Sequence, residues 1–221
     1  AGKLSHRTAG AFVTYYQNSL NLNDFGGIQM QPVHLFAIAG SLRERSYSRA
    51  LLQAGAELLP EDMTLDIFDL APLPLFNVDV ERAGAPESVH DLHRRMAAAD
   101  ALLIATPEYN FSVPGVLKNA IDWASRGQAN GDPSPLNSKP AAIISGGGRF
   151  GGVRAQMHLR DILLHNDVRI LNRPQIMLPS MWTYFDEDMR LTDEETRVRL
   201  QNLLMALGDW TRQFQPDAIA A

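Results

Sequence analysis

The chain contains no cysteine. That excludes disulfides, thiolate nucleophiles, CxxC redox chemistry and cysteine-ligated zinc or iron–sulfur clusters. A redox role would have to draw on a bound organic cofactor or a differently ligated metal. Long apolar runs are missing as well. The longest candidate, residues 97–106, is broken by Asp100, whereas a bilayer span needs roughly 20 apolar residues. The first residues hold no secretory apolar region, so the expectation is a soluble, cytoplasmic chain with no membrane partner. An excess of positive charge is also lacking: 25 acidic against 20 basic residues give a formal charge of −5. Nucleic acid as the main partner would favour a basic face. No G-x-S-x-G elbow occurs, which disfavours an α/β-hydrolase. No Gly-Lys-Ser/Thr follows Gly40, so there is no Walker A loop.

What is present is an ordinary globular composition, 45% hydrophobic and 20% charged over 221 residues. That length suits one domain, or a domain with an extension. Residues 1–29 keep neither a period of 2 nor one of 3.6 and are rich in Asn, Gln, Ser and Gly. Met30 directly precedes a strong strand. The reading is a disordered extension or appended arm over 1–29, with Met30 as the natural start. A natural arm that docks on a partner subunit is the alternative. Residues 30–215 then form the domain and 216–221 a tail.

Short apolar runs at 33–39, 64–68, 101–105 and 141–145 predict buried strands. A fifth starts at 168–171, with 175–178 as its continuation beyond Pro174. Helical stripes predict helices at 48–59, 87–98 and 113–126, and another from the glycines near 152 to Asn166. Residues 69–86, with the exposed apolar patch Leu73-Pro74-Leu75-Phe76, and residues 128–139 read as loops. The last helix opens on the capping box Thr192-Asp193-Glu194-Glu195, in which hydroxyl and carboxylate satisfy orphan N–H groups. Strands alternating with helices predict an α/β fold with a parallel sheet covered on both faces. Right-handed crossovers make the flavodoxin-like, five-stranded order 2-1-3-4-5 the leading topology. Ligands of such sheets sit beyond the carboxyl ends of the strands, at the switch point. The loops after strands 1, 3 and 4 therefore carry the functional reading.

The first loop, Gly40-Ser41-Leu42-Arg43-Glu44-Arg45-Ser46-Tyr47-Ser48-Arg49, leaves a strand and enters a helix. A helix N-terminus attracts anions through its free N–H groups and its dipole. Ser41, Ser46 and Ser48 add hydroxyls, and Arg43 adds a planar guanidinium suited to phosphate. Arg43, Arg45 and Arg49 would be disfavoured by the helix dipole there unless an anion lay among them. The second loop, Thr106-Pro107-Glu108-Tyr109-Asn110-Phe111-Ser112-Val113-Pro114, can offer backbone N–H groups and an apolar surface to a flat ring. Ser112 is its candidate helix cap. The third, Ser145-Gly146-Gly147-Gly148-Arg149-Phe150-Gly151-Gly152, holds a formal G-x-G-x-x-G. It comes at the fourth strand, and no acidic residue for a ribose ends the next one. It reads as a loop that lets backbone approach a ligand closely. His90 with His93, and His158 with Asp161 and His165, have metal-capable spacings but no completing ligands. They read as surface or interface histidines, with no metal site.

Gly40-Ser41-Leu42-Arg43 with Ser46, then Pro107-Glu108-Tyr109-Asn110 leading into Leu117-Lys118-Asn119-Ala120-Ile121-Asp122-Trp123, resemble the NAD(P)H-dependent FMN reductase family. The run Leu73-Pro74-Leu75-Phe76-Asn77 and the segment 148–152 look like it too. That family includes bacterial quinone, chromate and azo-reducing enzymes. The resemblance implies a flavodoxin-like fold with one FMN per subunit. By motif, Ser41, Arg43, Ser46, Tyr47 and Ser48 would bind its phosphate end. Pro107, Glu108, Tyr109 and Asn110 would contact the isoalloxazine, largely through backbone. Ser145, Gly146 and Gly147 would approach the pyrimidine, with backbone donors for the charge that develops there. Ser48 departs from an asparagine common in the quinone-reductase branch. The string Arg43–Ser48 instead resembles the arsenical-resistance flavoproteins, which lack the Glu-Tyr-Asn loop. The expected function is two-electron, ping-pong hydride transfer from NADPH or NADH through FMN to quinone-like acceptors, or to chromate, azo compounds or free flavin. No catalytic side chain is obligatory in that scheme. A flavodoxin-type one-electron carrier, a flavin-binding interaction protein and an arsenical-resistance flavoprotein are the alternatives. The apolar patch and the open cleft predict a homodimer or homotetramer.

Overall fold

In the computed structural model, the structure describes residues 31–127 and 131–215. The readings made for residues 1–29 and 216–221 lie outside them. Strands β1 (Val33–Ala39), β2 (Met63–Phe68), β3 (Ala101–Pro107) and β4 (Pro140–Gly146) pair in parallel, and the sheet runs β2-β1-β3-β4-β5. The fifth position is shared. β5 (Arg169–Ile170) pairs with the start of β4, and β6 (Ile176–Leu178) pairs with its end. The continuation expected after Pro174 is therefore real, with a break in the pairing between the two segments.

Period-2 alternation sends successive side chains to opposite faces. Leu35, Ala37 and Ala39 of β1 pack on one face, with Leu51 and Leu52 of helix α1 (Tyr47–Glu57) and with Leu200, Leu203, Leu204 and Leu207 of helix α6 (Glu194–Arg212). Phe36 and Ile38 pack on the other. There they meet Leu92 and Met96 of α3 (Glu87–Ala98), Leu117 and Trp123 of α4 (Gly115–Ala124), and Leu159 and Leu163 of α5 (Val153–Leu164). Both faces are covered, which is why the central strands read as unbroken apolar runs. Among the described residues no helix is long and apolar enough to cross a membrane.

Three local expectations need correction. Residues 69–86 are not all loop: α2 (Val78–Arg82) lies within them, capped by Asn77, whose side chain accepts from the Asp79 N–H. The last helix is capped by Asp193, which accepts from the Thr196 N–H at 2.8 Å, rather than by Thr192. The Thr192 N–H and hydroxyl both turn back to the Tyr184 carbonyl, so that residue is not available as a cap. Of the apolar patch, only Leu75 is exposed, at 84%. Leu73 and Phe76 pack inward, and Phe76 meets Trp123 edge-on at 4.9 Å.

Candidate active site

The sheet order reverses between β1 and β3, so the loops leaving them diverge and open a cleft at the carboxyl edge. A cavity of about 240 Å³ lies there. It is lined by Ser41, Arg43, Ser46, Tyr47 and Ser48 from the first loop, by Pro107, Glu108 and Tyr109 from the second, and by Gly146 and Gly147 from the third. Three expected loops thus converge. Gly148, Met181 and Trp182 complete the lining and were not foreseen.

At one end stands the N-terminus of α1. Ser46 caps it, its hydroxyl accepting from the Arg49 N–H at 3.3 Å. No acidic residue occupies the first turn. Ser41, Ser46 and Ser48 are all buried. The three arginines have separate fates, contrary to the expectation of a cluster. Arg45 donates to the Glu187 carbonyl, and Arg49 pairs with Asp69 at 3.0 Å. Arg43 lines the cavity, and its guanidinium has no partner among the described residues.

The second loop is a tight hairpin. Tyr109 and Ser112 exchange backbone hydrogen bonds at 3.1 and 3.0 Å. Asn110 and Phe111 turn between them with φ of 50° and 63°. Asn tolerates the left-handed region, whereas a phenylalanine rarely adopts it. Asn110 is thus a turn residue, and it lies outside the cavity lining. Ser112 does not cap α4, which starts at Gly115 behind Pro114; its hydroxyl meets His158 Nδ1 at 3.0 Å. Tyr109 reaches back across the cleft, donating its hydroxyl proton to Ser41 Oγ at 3.2 Å. Glu108 turns the other way: its Oε2 accepts the backbone N–H groups of Arg154 at 2.9 Å and Ala155 at 3.2 Å. Gly152, at the N-cap of α5, has no side chain to do this.

The third loop is strapped to β6. The Gly147 N–H donates to the Leu178 carbonyl at 3.2 Å, while the Ser180 and Met181 N–H groups donate to the Gly148 and Gly147 carbonyls. The Gly147 N–H, expected as a backbone donor to the ligand, is thus engaged by β6. Ser145 is buried behind the lining, and its hydroxyl donates to the Gly151 carbonyl at 2.7 Å. A Cβ on Gly146 would lie 2.2 Å from Met181 Sδ, so any side chain there would require Met181 to shift.

Residues 33–183 match the family model described as NADPH-dependent FMN reductase. The chain belongs to that family. It is 45% identical over 184 residues to an NAD(P)H-dependent FMN reductase of Pseudomonas aeruginosa, across 83% of this chain and 97% of that protein. It is 44% identical over 184 residues to an NAD(P)H:quinone oxidoreductase of Solanum tuberosum, across 80% and 92% of the two chains. Among solved structures it is similar to FerB, a flavoenzyme NAD(P)H:(acceptor) oxidoreductase from Paracoccus denitrificans. That match has a TM-score of 0.71 and 34% identity, and covers 82% of this chain and 98% of that one.

In this FMN reductase family member, two of the lining residues missed from sequence share one cause. Met181 and Trp182 follow β6, and β6 reaches the cleft only by pairing with the end of β4. The segment beyond them crosses to the first loop, where Phe185 packs on Tyr47 at 5.3 Å. The histidines stand apart from the cleft's lining. His93 is buried, not superficial, and its Nε2 lies 2.8 Å from the Trp123 carbonyl. No group of three His, Asp or Glu placed to hold a metal occurs among the described residues.

Proposed function

We propose that the chain is an FMN-dependent oxidoreductase that carries hydride from NAD(P)H to quinone-like acceptors. The observation that carries the reading is Arg43. Arg43 lines a cleft, its guanidinium without a partner among the described residues, beside three buried serines and a helix N-terminus with no acidic residue in its first turn. This donor set fits a phosphomonoester, because guanidinium, hydroxyl and backbone N–H groups all donate to its oxygens. The remaining walls, from Pro107 to Tyr109 and from Gly146 to Gly148, fit a flat ring that is polar on one edge.

FMN, when bound, supplies the two-electron chemistry, and the protein supplies orientation and electrostatics. Arg43, Ser41, Ser46 and Ser48 hold the phosphate, with the first turn of α1 behind it. Tyr109 is held at the opposite lip by Ser41. The Glu108 carboxylate is occupied by α5, so the proposal assigns no side-chain acid or base to the transfer. Chromate, azo compounds and free flavin are further acceptors within this reading. A cytoplasmic site of action goes with a nicotinamide reductant. Exposed Phe111 and Phe150 support a homo-oligomer, dimer or tetramer.

Steady-state turnover with NADPH and a benzoquinone tests the proposal. Parallel double-reciprocal lines are expected, since reductant and acceptor use the cleft in turn. Bound FMN without NADPH oxidation, or intersecting lines, would overturn it.

A further inference from the structure

Gln156 lies on the inner face of α5, 2% exposed and outside the cleft lining. Its amide has two protons, and both are used. One goes to Ser145 Oγ at 3.0 Å, the other to the Ile176 carbonyl at 2.7 Å. A carbonyl can only accept, so the nitrogen must face Ile176 and the amide orientation is fixed. Gln156 Oε1 is then left buried with no hydrogen-bond partner among the described residues. A buried acceptor without a donor is a desolvation loss with nothing in return. Leucine would fill similar space without that loss. What glutamine adds is the pair of donor bonds, and those bonds join the pieces that carry the glycine loop.

The pieces are the end of β4, the end of the loop and the start of β6. Ser145 receives the Gln156 proton and passes its own to the Gly151 carbonyl. Gly151 has φ of 62°, and a Cβ there would stand 2.9 Å from the Leu178 and Pro179 nitrogens, so the loop end is pressed on the β6 backbone. From β6, the Leu178 carbonyl holds the Gly147 N–H, and Met181 lies on Gly146. Gly146, Gly147 and Met181 line the cleft. None of these bonds reaches the loop of Ser41 and Arg43.

We infer that Gln156 is a positioning residue: through Ser145 and β6 it sets the glycine-loop wall of the cleft. It thereby governs affinity for the flavin ring and leaves the phosphate end untouched. The inference rests on the reading that the cleft holds FMN.

The test is to measure dissociation constants of FMN and riboflavin by fluorescence titration. The proteins are the wild type, Gln156→Leu, Ser145→Ala and the double variant. Gln156→Leu should weaken both ligands by the same factor, about tenfold, the scale of one to two lost hydrogen bonds. The FMN-to-riboflavin ratio should stay at its wild-type value. Ser145→Ala should act in the same direction, and the double variant should be less impaired than the product of the two single effects, since both cut one path. A residue that only supports the core would lower the melting temperature and leave the folded protein's ring affinity unchanged. If Gln156→Leu does not fold, Ser145→Ala decides by the same ratio. Wild-type affinity in the folded variants, a loss confined to FMN, or full additivity would overturn the inference alone. Failure of the wild type to bind either flavin would overturn the functional reading and the inference together.

Discussion

The Glu108 carboxylate caps helix α5 at Arg154, accepting that residue's backbone N–H at 2.9 Å. A loop that lines the cleft is thus tied to the helix that follows the glycine loop. Negative charge at a helix N-terminus is favoured by both hydrogen bonding and the dipole. Glu108→Ala should therefore cost about 1–2 kcal/mol of stability, the scale of a lost N-cap, measured by urea denaturation. Glu108→Gln keeps an acceptor and should retain most of kcat. A fall in kcat beyond about 10³-fold with FMN still bound would instead mark genuine proton transfer by this side chain.

Arg43 is the group on which ligand charge should be felt. Arg43→Ala should weaken FMN by about 1–3 kcal/mol, the scale of charge-assisted hydrogen bonds. Riboflavin lacks the phosphate and should bind the variant almost as it binds the wild type. Calorimetric titration with both ligands checks this, and an equal loss for the two would remove Arg43 from the phosphate site.

The strand order and the three converging loops were legible because they depend on short-range patterns. Buried parallel strands are continuous apolar runs, and a loop of Gly, Ser and Arg between a strand and a helix marks its own place on the cleft. What failed depends on distant partners. Glu108 is recruited by a helix start 46 residues away, whose own cap is the side-chain-free Gly152. Met181 and Trp182 enter through β6, a strand too short to announce its alignment on β4. Thr192 matched a capping pattern one residue early, and the Tyr184 carbonyl claimed it.

Gly146 and Met181 should behave as a coupled pair. A methyl on Gly146 meets Met181 Sδ, so Gly146→Ala should cost about 1–3 kcal/mol as overpacking does. Met181→Ala also destabilises by itself, through the cavity it leaves. Combined, the two should cost less than their sum, because each relieves the other. A thermal-denaturation double-mutant cycle measures the difference, and strict additivity would contradict the contact.

His93 gives the fold a pH dependence of definite sign. Burial pushes its pKa below the ordinary histidine value, partly offset by the Trp123 carbonyl. The neighbouring His90 lowers it further, while Glu81 works in the opposite direction. Below about pH 6.5 the unfolded chain takes up a proton that the folded chain resists, so stability falls as pH drops through that value. Asp66, held below the usual carboxylate range by Arg95, loses its contribution only at lower pH. His93→Gln retains a donor for Trp123. Its stability should fall less than the wild type's between about pH 7.5 and 5.5, as followed by urea denaturation. Equal losses would exclude His93 as the cause.

The most direct measurement of the central claim is the visible spectrum of the FMN-reconstituted protein, followed anaerobically as NADPH and then a quinone are added. The account predicts that FMN is retained through gel filtration and that one equivalent of NADPH bleaches the oxidised-flavin band. One equivalent of quinone should then restore it. A protein that does not retain FMN, or whose bound FMN stays oxidised in excess NADPH, would contradict it.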